Sequence, residues 1–291
     1  MEDAIEAVKE AFIVHSEGSV KVPLRINIRS DKYNGNMLFM PAYCEKKDAA
    51  SLKIVSVYPD NKEKNLPSTP AQVLLIDPTT GIVLSIMDGT YITSLRTGAA
   101  SGAAFSILAK TECKTGALIG TGTQAAMQLE AMIVSKNPKL VKVYSRNKDR
   151  LNNFVNNMNT KFKSKGVDII ACESADAAVK DADILITATN SDKPLFSVES
   201  CKPGLTISAV GSFTRQMQEL DTTVLKKASK IYYDDKEAML EEAGEIIKAL
   251  ENRDIDEKKF SGSLGEALAG KIKLRENDEE IIVFKSVGLG T

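Results

Sequence analysis

Histidine is nearly missing from this chain: 291 residues contain one, His15. It lies between an amphipathic helical pattern and Gly18, and reads as surface or helix-end packing, which leaves Ser-His-Asp and Cys-His catalysis without their base. Cysteine is sparse as well. Cys44, Cys113, Cys172 and Cys201 are far apart, with no C-x-x-C among them. With a single histidine, that spacing excludes a zinc site of the usual His/Cys kind, so no metal is expected. Free thiols, and an acidic amphipathic opening (MEDAIEAVKE) unlike a secretory signal, predict a reducing, cytoplasmic setting. No apolar run approaches the ~20 residues of a membrane helix. Neither sign of charge dominates: 38 basic residues face 39 acidic ones, for a net charge of −1. That balance gives no electrostatic reason to expect nucleic acid or an anionic membrane as a partner. Chemistry must then rest on Lys, Arg, Asp, Glu, Tyr or a cofactor.

What remains is the composition of a soluble globular protein, 43% hydrophobic and 26% charged, long enough for two domains. Ile5, Val8 and Phe12 share one helical face, with Gly18 as a stop. MLFMPAY and LKIVSVYP read as strands broken by Pro41 and Pro59. AQVLLID and IVLSIMDG flank DPTTG as a β-hairpin. After Asp88, which reads as a turn or cap residue, a helix rich in Gly, Ala and Ser (YITSLRTGAASGAAFSILA) predicts close packing against another element. From Lys114 onward short apolar strands alternate with helices: GALIG, VKVYS, VDIIAC, ADILITAT, GLTISAVG and EIIVFKS are the strands. Such alternation predicts an α/β fold, a parallel sheet covered on both faces. The expected division is 1–111, 112–285 and a tail at 286–291.

The most informative stretch is KTGALIGTGTQAAMQ, Lys114 to Gln128. Gly120, Gly122 and Ala125 form G-x-G-x-x-A at a strand exit and a helix start. There the first glycine allows the tight turn, the second lets backbone approach a pyrophosphate, and the alanine lets the helix pack on the strand. The helix start, placed at Thr123, offers free N–H groups to phosphate. At the end of the next strand an acidic residue would bind the ribose of NAD. The sequence has Ser145, Arg146 and Asn147 there, with no carboxylate before Asp149, which favours the 2′-phosphate of NADP(H) over NAD(H). In the first half, Arg25, Lys53 and Arg96 end apolar segments. An arginine beside small residues suits a bidentate carboxylate grip, and a half-buried lysine suits proton transfer, although each taken singly also reads as a surface charge.

An ordered set of segments then carries a resemblance: VPLR, MPAY, LKIVSVYPDN, NLPSTPAQVLLIDPTTG, MDGTYITSLRTGAAS, IGTGTQAAMQ, VYSRN, ADILITAT, KPGLTISAVGS, ELD and VFKSVGLG. The chain resembles the ornithine cyclodeaminase/mu-crystallin family over nearly its whole length. The resemblance implies a Rossmann, doubly wound dinucleotide-binding domain joined to an α/β substrate-binding and dimerisation domain, with the active site in the cleft and a homodimer as the assembly. It implies Arg25, Lys53 and Arg96 as substrate-carboxylate and catalytic residues, with Thr97 beside them at a helix start. It assigns Gly120, Gly122, Thr123, Gln124 and Ala125 to the phosphates, and Ala188 and Thr189 to the lining of the dinucleotide. Val210 and Gly211 border the cleft, and Lys285 and Ser286 approach the nicotinamide.

In the cyclodeaminases an aspartate follows the AVG segment, and here Phe213 takes its place. A phenyl ring cannot accept a proton, so the resemblance points instead to NAD(P)H-dependent reduction of a small cyclic α-imino acid, of the pyrroline- or piperideine-2-carboxylate type. The alternatives are a cyclodeaminase using Asp221 or Glu219 as base, an alanine dehydrogenase, and a non-catalytic NADP-binding protein. The chain is also shorter at both ends than family members usually are, which predicts that the family's C-terminal helix is missing.

Overall fold

The computed structural model describes residues 1–288 and divides them into two compact units, Met1–Ile13 with Arg96–Gly288, and Val14–Leu95. The division falls inside the small-residue helix, between Leu95 and Arg96, where the sequence suggested a boundary after residue 111. Packing explains the position. A β-carbon on Gly98 would come within 2.6 Å of the Met127 carbonyl oxygen, and one on Gly102 within 2.6 Å of Ile5. The helix from Arg96 on is therefore seated against its own unit. Leu289–Thr291, the end of the expected tail, lie outside the described residues.

The chain opens with α1 (Glu2–Ser16) and continues through β1 (Val20–Lys21), β2 (Ile26–Ser30), β3 (Gly35–Cys44), β4 (Ala49–Val57), β5 (Ala71–Ile76), β6 (Val83–Asp88) and α2 (Gly89–Leu108). The six strands form one antiparallel sheet in the order β1-β3-β4-β5-β6, with β2 also on β3. Contrary to the expectation from sequence, Pro41 does not break its strand but pairs with Leu52 inside β3. It is tolerated because β2 pairs with β3 only as far as Phe39 and β1 only from Tyr43, so the other flank at residue 41 has no ladder to lose. The β5–β6 hairpin is tied by Asp77, whose carboxylate accepts from Thr80 Oγ1 (2.6 Å), Thr79 Oγ1 (2.7 Å) and Thr79 N (2.9 Å). The Thr80 and Thr79 bonds hold that carboxyl below its ordinary range. Asp88 accepts from Thr90 N at 2.8 Å and so caps α2, as the sequence indicated.

Directly opposed residues in a sheet share a face. Pro41, Leu52, Leu74 and Ile86 form one row across the sheet, and Phe39, Ile54 and Gln72 the next on that face. Met40, Lys53, Val73 and Met87 form a row on the other face. The first face is apolar yet open at its margins, where Ile26 and Ile86 are 60% and 68% exposed.

The larger unit continues with β7 (Thr115–Ile119), α3 (Ala125–Lys136), β8 (Leu140–Tyr144), α4 (Lys148–Phe162), β9 (Asp168–Ala171), α5 (Ala175–Val179), β10 (Ile184–Thr187), β11 (Thr206–Ala209), α6 (Thr222–Lys227), β12 (Lys230–Tyr233), α7 (Lys236–Glu242), α8 (Gly244–Glu251), β13 (Phe260–Ser263), α9 (Leu264–Leu268) and β14 (Ile282–Lys285). Its eight strands are all parallel, in the order β13-β12-β14-β11-β10-β7-β8-β9. Ala117, Ile119, Leu185 and Ile207 belong to one buried cluster, and Leu118, Val143, Ile184 and Ile186 to another. Alternate residues of each strand thus feed cores on opposite faces, as a sheet covered on both sides requires. The order reverses between β7 and β10, the switch point of a doubly wound sheet, where ligands bind at the carboxyl ends of the strands.

Candidate functional site

At the switch point β7 runs into the glycine loop. Gly120 has φ +109°, donates to Tyr144 O at 2.9 Å, and would place a β-carbon 2.4 Å from the Ala188 carbonyl oxygen. The exits of β7 and β10 pass too close there for any side chain. Gly122 differs: it is exposed, and a β-carbon on it would meet nothing within 4 Å. The fold does not require its bareness, which leaves the position open to close approach by a ligand.

Regular helix begins at Ala125 rather than at Thr123. Thr123 and Gln124 form a turn, and Ala125 N donates to Gly122 O at 3.1 Å. No side chain caps α3 at Gln124. Thr121 Oγ1, Gln124 Oε1 and both amide atoms of the fully buried Gln128 have no hydrogen-bond partner among the described residues. Buried polar atoms are ordinarily satisfied, and of these orphans Thr121 Oγ1 and Gln128 Nε2 can donate, at the helix start where backbone N–H groups also suit a phosphate. These residues fit a dinucleotide's pyrophosphate.

At the end of β8, Ser145 is half-buried and Arg146 exposed. Asn147 caps α4, its side chain accepting from Arg150 N at 2.8 Å, so that oxygen is committed locally. Past β10, Ala188 N donates to Ile119 O, and past β11, Val210 N donates to Thr187 O. Beside them lies a residue the sequence raised only as a substitute base, Glu219. It is completely buried and accepts from Thr187 Oγ1 (2.9 Å), Thr189 N (2.6 Å), Thr189 Oγ1 (2.8 Å) and Gly211 N (2.8 Å). One carboxylate thus ties together the exits of β10 and β11. Burial pushes its pKa up, against the opposing pull of Lys285 and the donors on Thr189. Asp221, the other substitute base, caps α6 through Thr223 N (2.9 Å) and Thr223 Oγ1 (2.6 Å). Neither carboxylate is placed as a free base.

Lys285, which the resemblance brings toward the nicotinamide, is not a solvated strand end. It is fully buried, 2.9 Å from Glu245 Oε1, and donates to Ser212 O at 2.7 Å. Ser286 donates to Asp234 at 2.7 Å. The Lys285 ammonium and Ser286 hydroxyl are therefore anchors for the strand end. Arg96 is half-buried and lies about two turns into α2, not at a helix start, because Asp88 starts that helix at Gly89. Thr97, next to it, is buried. Arg25 and Lys53 belong to the Val14–Leu95 unit, Arg25 half-buried ahead of β2 and Lys53 buried on β4.

Residues 1–291 match the ornithine cyclodeaminase/mu-crystallin family. A Delta(1)-pyrroline-2-carboxylate reductase of Bacillus cereus is 36% identical over 267 residues, 92% of this chain and 81% of that protein. The structure of Thermococcus litoralis Delta(1)-pyrroline-2-carboxylate reductase in complex with NADH and L-proline is 41% identical, covers 99% of this chain and 88% of its own, and superposes with a TM-score of 0.94. An archaeal alanine dehydrogenase dimer with bound NAD is 36% identical over 99% of this chain and 87% of its own, with a TM-score of 0.91. The chain belongs to the ornithine cyclodeaminase/mu-crystallin family.

Proposed function

We propose that this protein reduces a small cyclic α-imino acid, of the pyrroline-2-carboxylate or piperideine-2-carboxylate type, to the amino acid, using NAD(P)H. The observation that carries the reading is the glycine loop: a Gly122 that no protein atom crowds, beside orphaned polar groups, in a chain whose relatives include pyrroline-2-carboxylate reductases. Gly120 to Ala125 would hold the pyrophosphate, and Ser145 with Arg146 the adenosine ribose. When bound, the reduced nicotinamide supplies the two-electron reduction of the C=N bond. Arg25 and Arg96, the latter followed in the chain by Thr97, would hold the substrate carboxylate and so fix the imine carbon in a reactive orientation. Lys53 keeps the imine nitrogen protonated, so positive charge on that nitrogen makes its carbon electrophilic, and the proton remains on the product amine.

The cyclodeaminase reading loses its base, since Phe213 carries no proton acceptor and Glu219 and Asp221 are committed elsewhere. NADP(H) is the favoured cofactor in this reading because Arg146 is exposed at the end of β8, where a 2′-phosphate would lie. The protein acts as a homodimer built on the apolar face of its antiparallel sheet. The test is turnover of pyrroline-2-carboxylate, followed by loss of nicotinamide absorbance with NADPH and with NADH. Activity is expected with both and a lower KM for NADPH, a preference that Arg146→Ala removes. No absorbance loss with either cofactor, against turnover of pyruvate with ammonia, would replace the imine reductase by an alanine dehydrogenase.

A further inference from the structure

Beyond β14 the chain turns through Ser286, Val287 and Gly288. One oxygen of a residue just past β12 gathers that whole turn. Asp234 Oδ2 accepts from Ser286 Oγ at 2.7 Å, Val287 N at 3.0 Å and Gly288 N at 2.7 Å. Its other oxygen accepts from Asp235 N at 2.9 Å, and its own N–H donates to Lys285 O at 3.2 Å. Asp234 is 1% exposed. A carboxylate shut away from water and surrounded by converging donors is a stiff anchor.

What the anchor holds in place is Gly288. That residue has φ +89°, and a β-carbon on it would lie 3.1 Å from both Nη1 and Nη2 of Arg96 and 3.5 Å from its Cζ. The bare backbone of Gly288 therefore lies against the guanidinium group. Arginine is long and rotamer-rich, and its value in gripping a carboxylate depends on presenting its planar fork in one direction. A backbone wall against the fork removes competing directions before any ligand arrives.

We propose that Asp234 is a positioning residue for imino-acid binding: by fixing the Ser286–Gly288 turn, it sets the wall that directs the Arg96 guanidinium toward the substrate carboxylate. The inference rests on the reading of Arg96 as a carboxylate holder. Asp234 follows β12, and β14, β11 and β10 separate that strand from β7, so dinucleotide affinity offers an independent readout.

The experiment measures KM for pyrroline-2-carboxylate, kcat, and dinucleotide Kd by nicotinamide fluorescence in Asp234→Asn, Gly288→Ala, Ser286→Ala and Arg96→Lys. Asp234→Asn and Gly288→Ala are expected to raise KM about tenfold, with kcat and dinucleotide Kd moving less than about twofold. Ser286→Ala, which removes one of the three bonds, is expected to raise KM about threefold, and it carries the test where Asp234→Asn fails to fold. In an Arg96→Lys background Gly288→Ala should add less than about twofold, because no fork remains to direct. That coupling distinguishes positioning from general damage, which would lower kcat, Kd and melting temperature together in either background. If Arg96→Lys raises KM while the turn variants leave it unchanged, the role of Asp234 falls and the reductase reading stands. If Arg96→Lys itself leaves KM unchanged, Arg96 is not the carboxylate holder and the role of Asp234 falls with it, while the turnover measured still supports imine reduction.

Discussion

Gly120 and Gly122 are two residues apart and are glycine for different reasons. A methyl group on Gly120 has to occupy the Ala188 carbonyl oxygen's space from a backbone at φ +109°. Gly120→Ala is therefore expected to cost about 2 kcal/mol or more and to lower the melting temperature by several degrees. A methyl group on Gly122 meets nothing, so Gly122→Ala should leave stability within about 0.5 kcal/mol of the parent while weakening dinucleotide binding at least about tenfold. Thermal melts and a fluorescence titration read the two effects separately, and unchanged affinity in Gly122→Ala would remove the argument for a pyrophosphate at this loop. The sequence pattern names both glycines but assigns them one shared purpose, and only the contacts divide it. Glu219 and Asp234 were harder to read. A sequence displays a carboxylate's charge, not its burial, and both residues look like surface acids in QELD and YYDDKE. The available signal was position: each stands near the end of an apolar strand or beside a strand exit, where backbone donors run out of partners.

Among the elements, the ones with strong periodicity were legible: α1, the β5–β6 hairpin, α2, and the strands β7, β8, β9, β10, β11 and β14. β12 and β13 were not. KIYY is four residues long beside charged neighbours, and FSGS has no apolar pattern at all, so their strand state is imposed by pairing with β14 and with each other. The structure also joins β14 to α8 through Lys285 and Glu245, an ion pair with both side chains completely buried. Removing one member leaves a buried charge without its ion-pair partner, and Lys285→Met or Glu245→Gln alone should cost about 3–5 kcal/mol in chemical denaturation. Replacing both, as Lys285→Met with Glu245→Leu, should cost much less than the sum of the single changes. Additive costs would mean that the two groups do not depend on each other.

At the scale of the molecule, the proposed reading gives the two faces of the antiparallel sheet different work. One carries Leu52, Leu74 and Ile86 in a row and remains exposed at its margins, as an association surface would. Ile86→Lys, a change at a position 68% exposed, is expected to shift the protein from dimer to monomer in light scattering while leaving dinucleotide affinity within about twofold. A native protein that is monomeric at all concentrations would dismiss the face as an interface. No helix among the described residues is long and apolar enough to cross a membrane.

Lys53 belongs to the opposite face of that sheet, in line with Met40 and Val73. In β4, Leu52 and Ile54 serve one side and Lys53 the other, so on the proposed reading parity decides whether a side chain faces the partner protomer or the substrate. Inserting or deleting one residue in β4 would exchange the two sets at a stroke, carrying an ammonium onto the oily side and a leucine to where the ammonium had been. On the proposed reading, self-association and turnover, physically unrelated, would fail together under such a frame slip, which would constrain the strand's length from two directions at once.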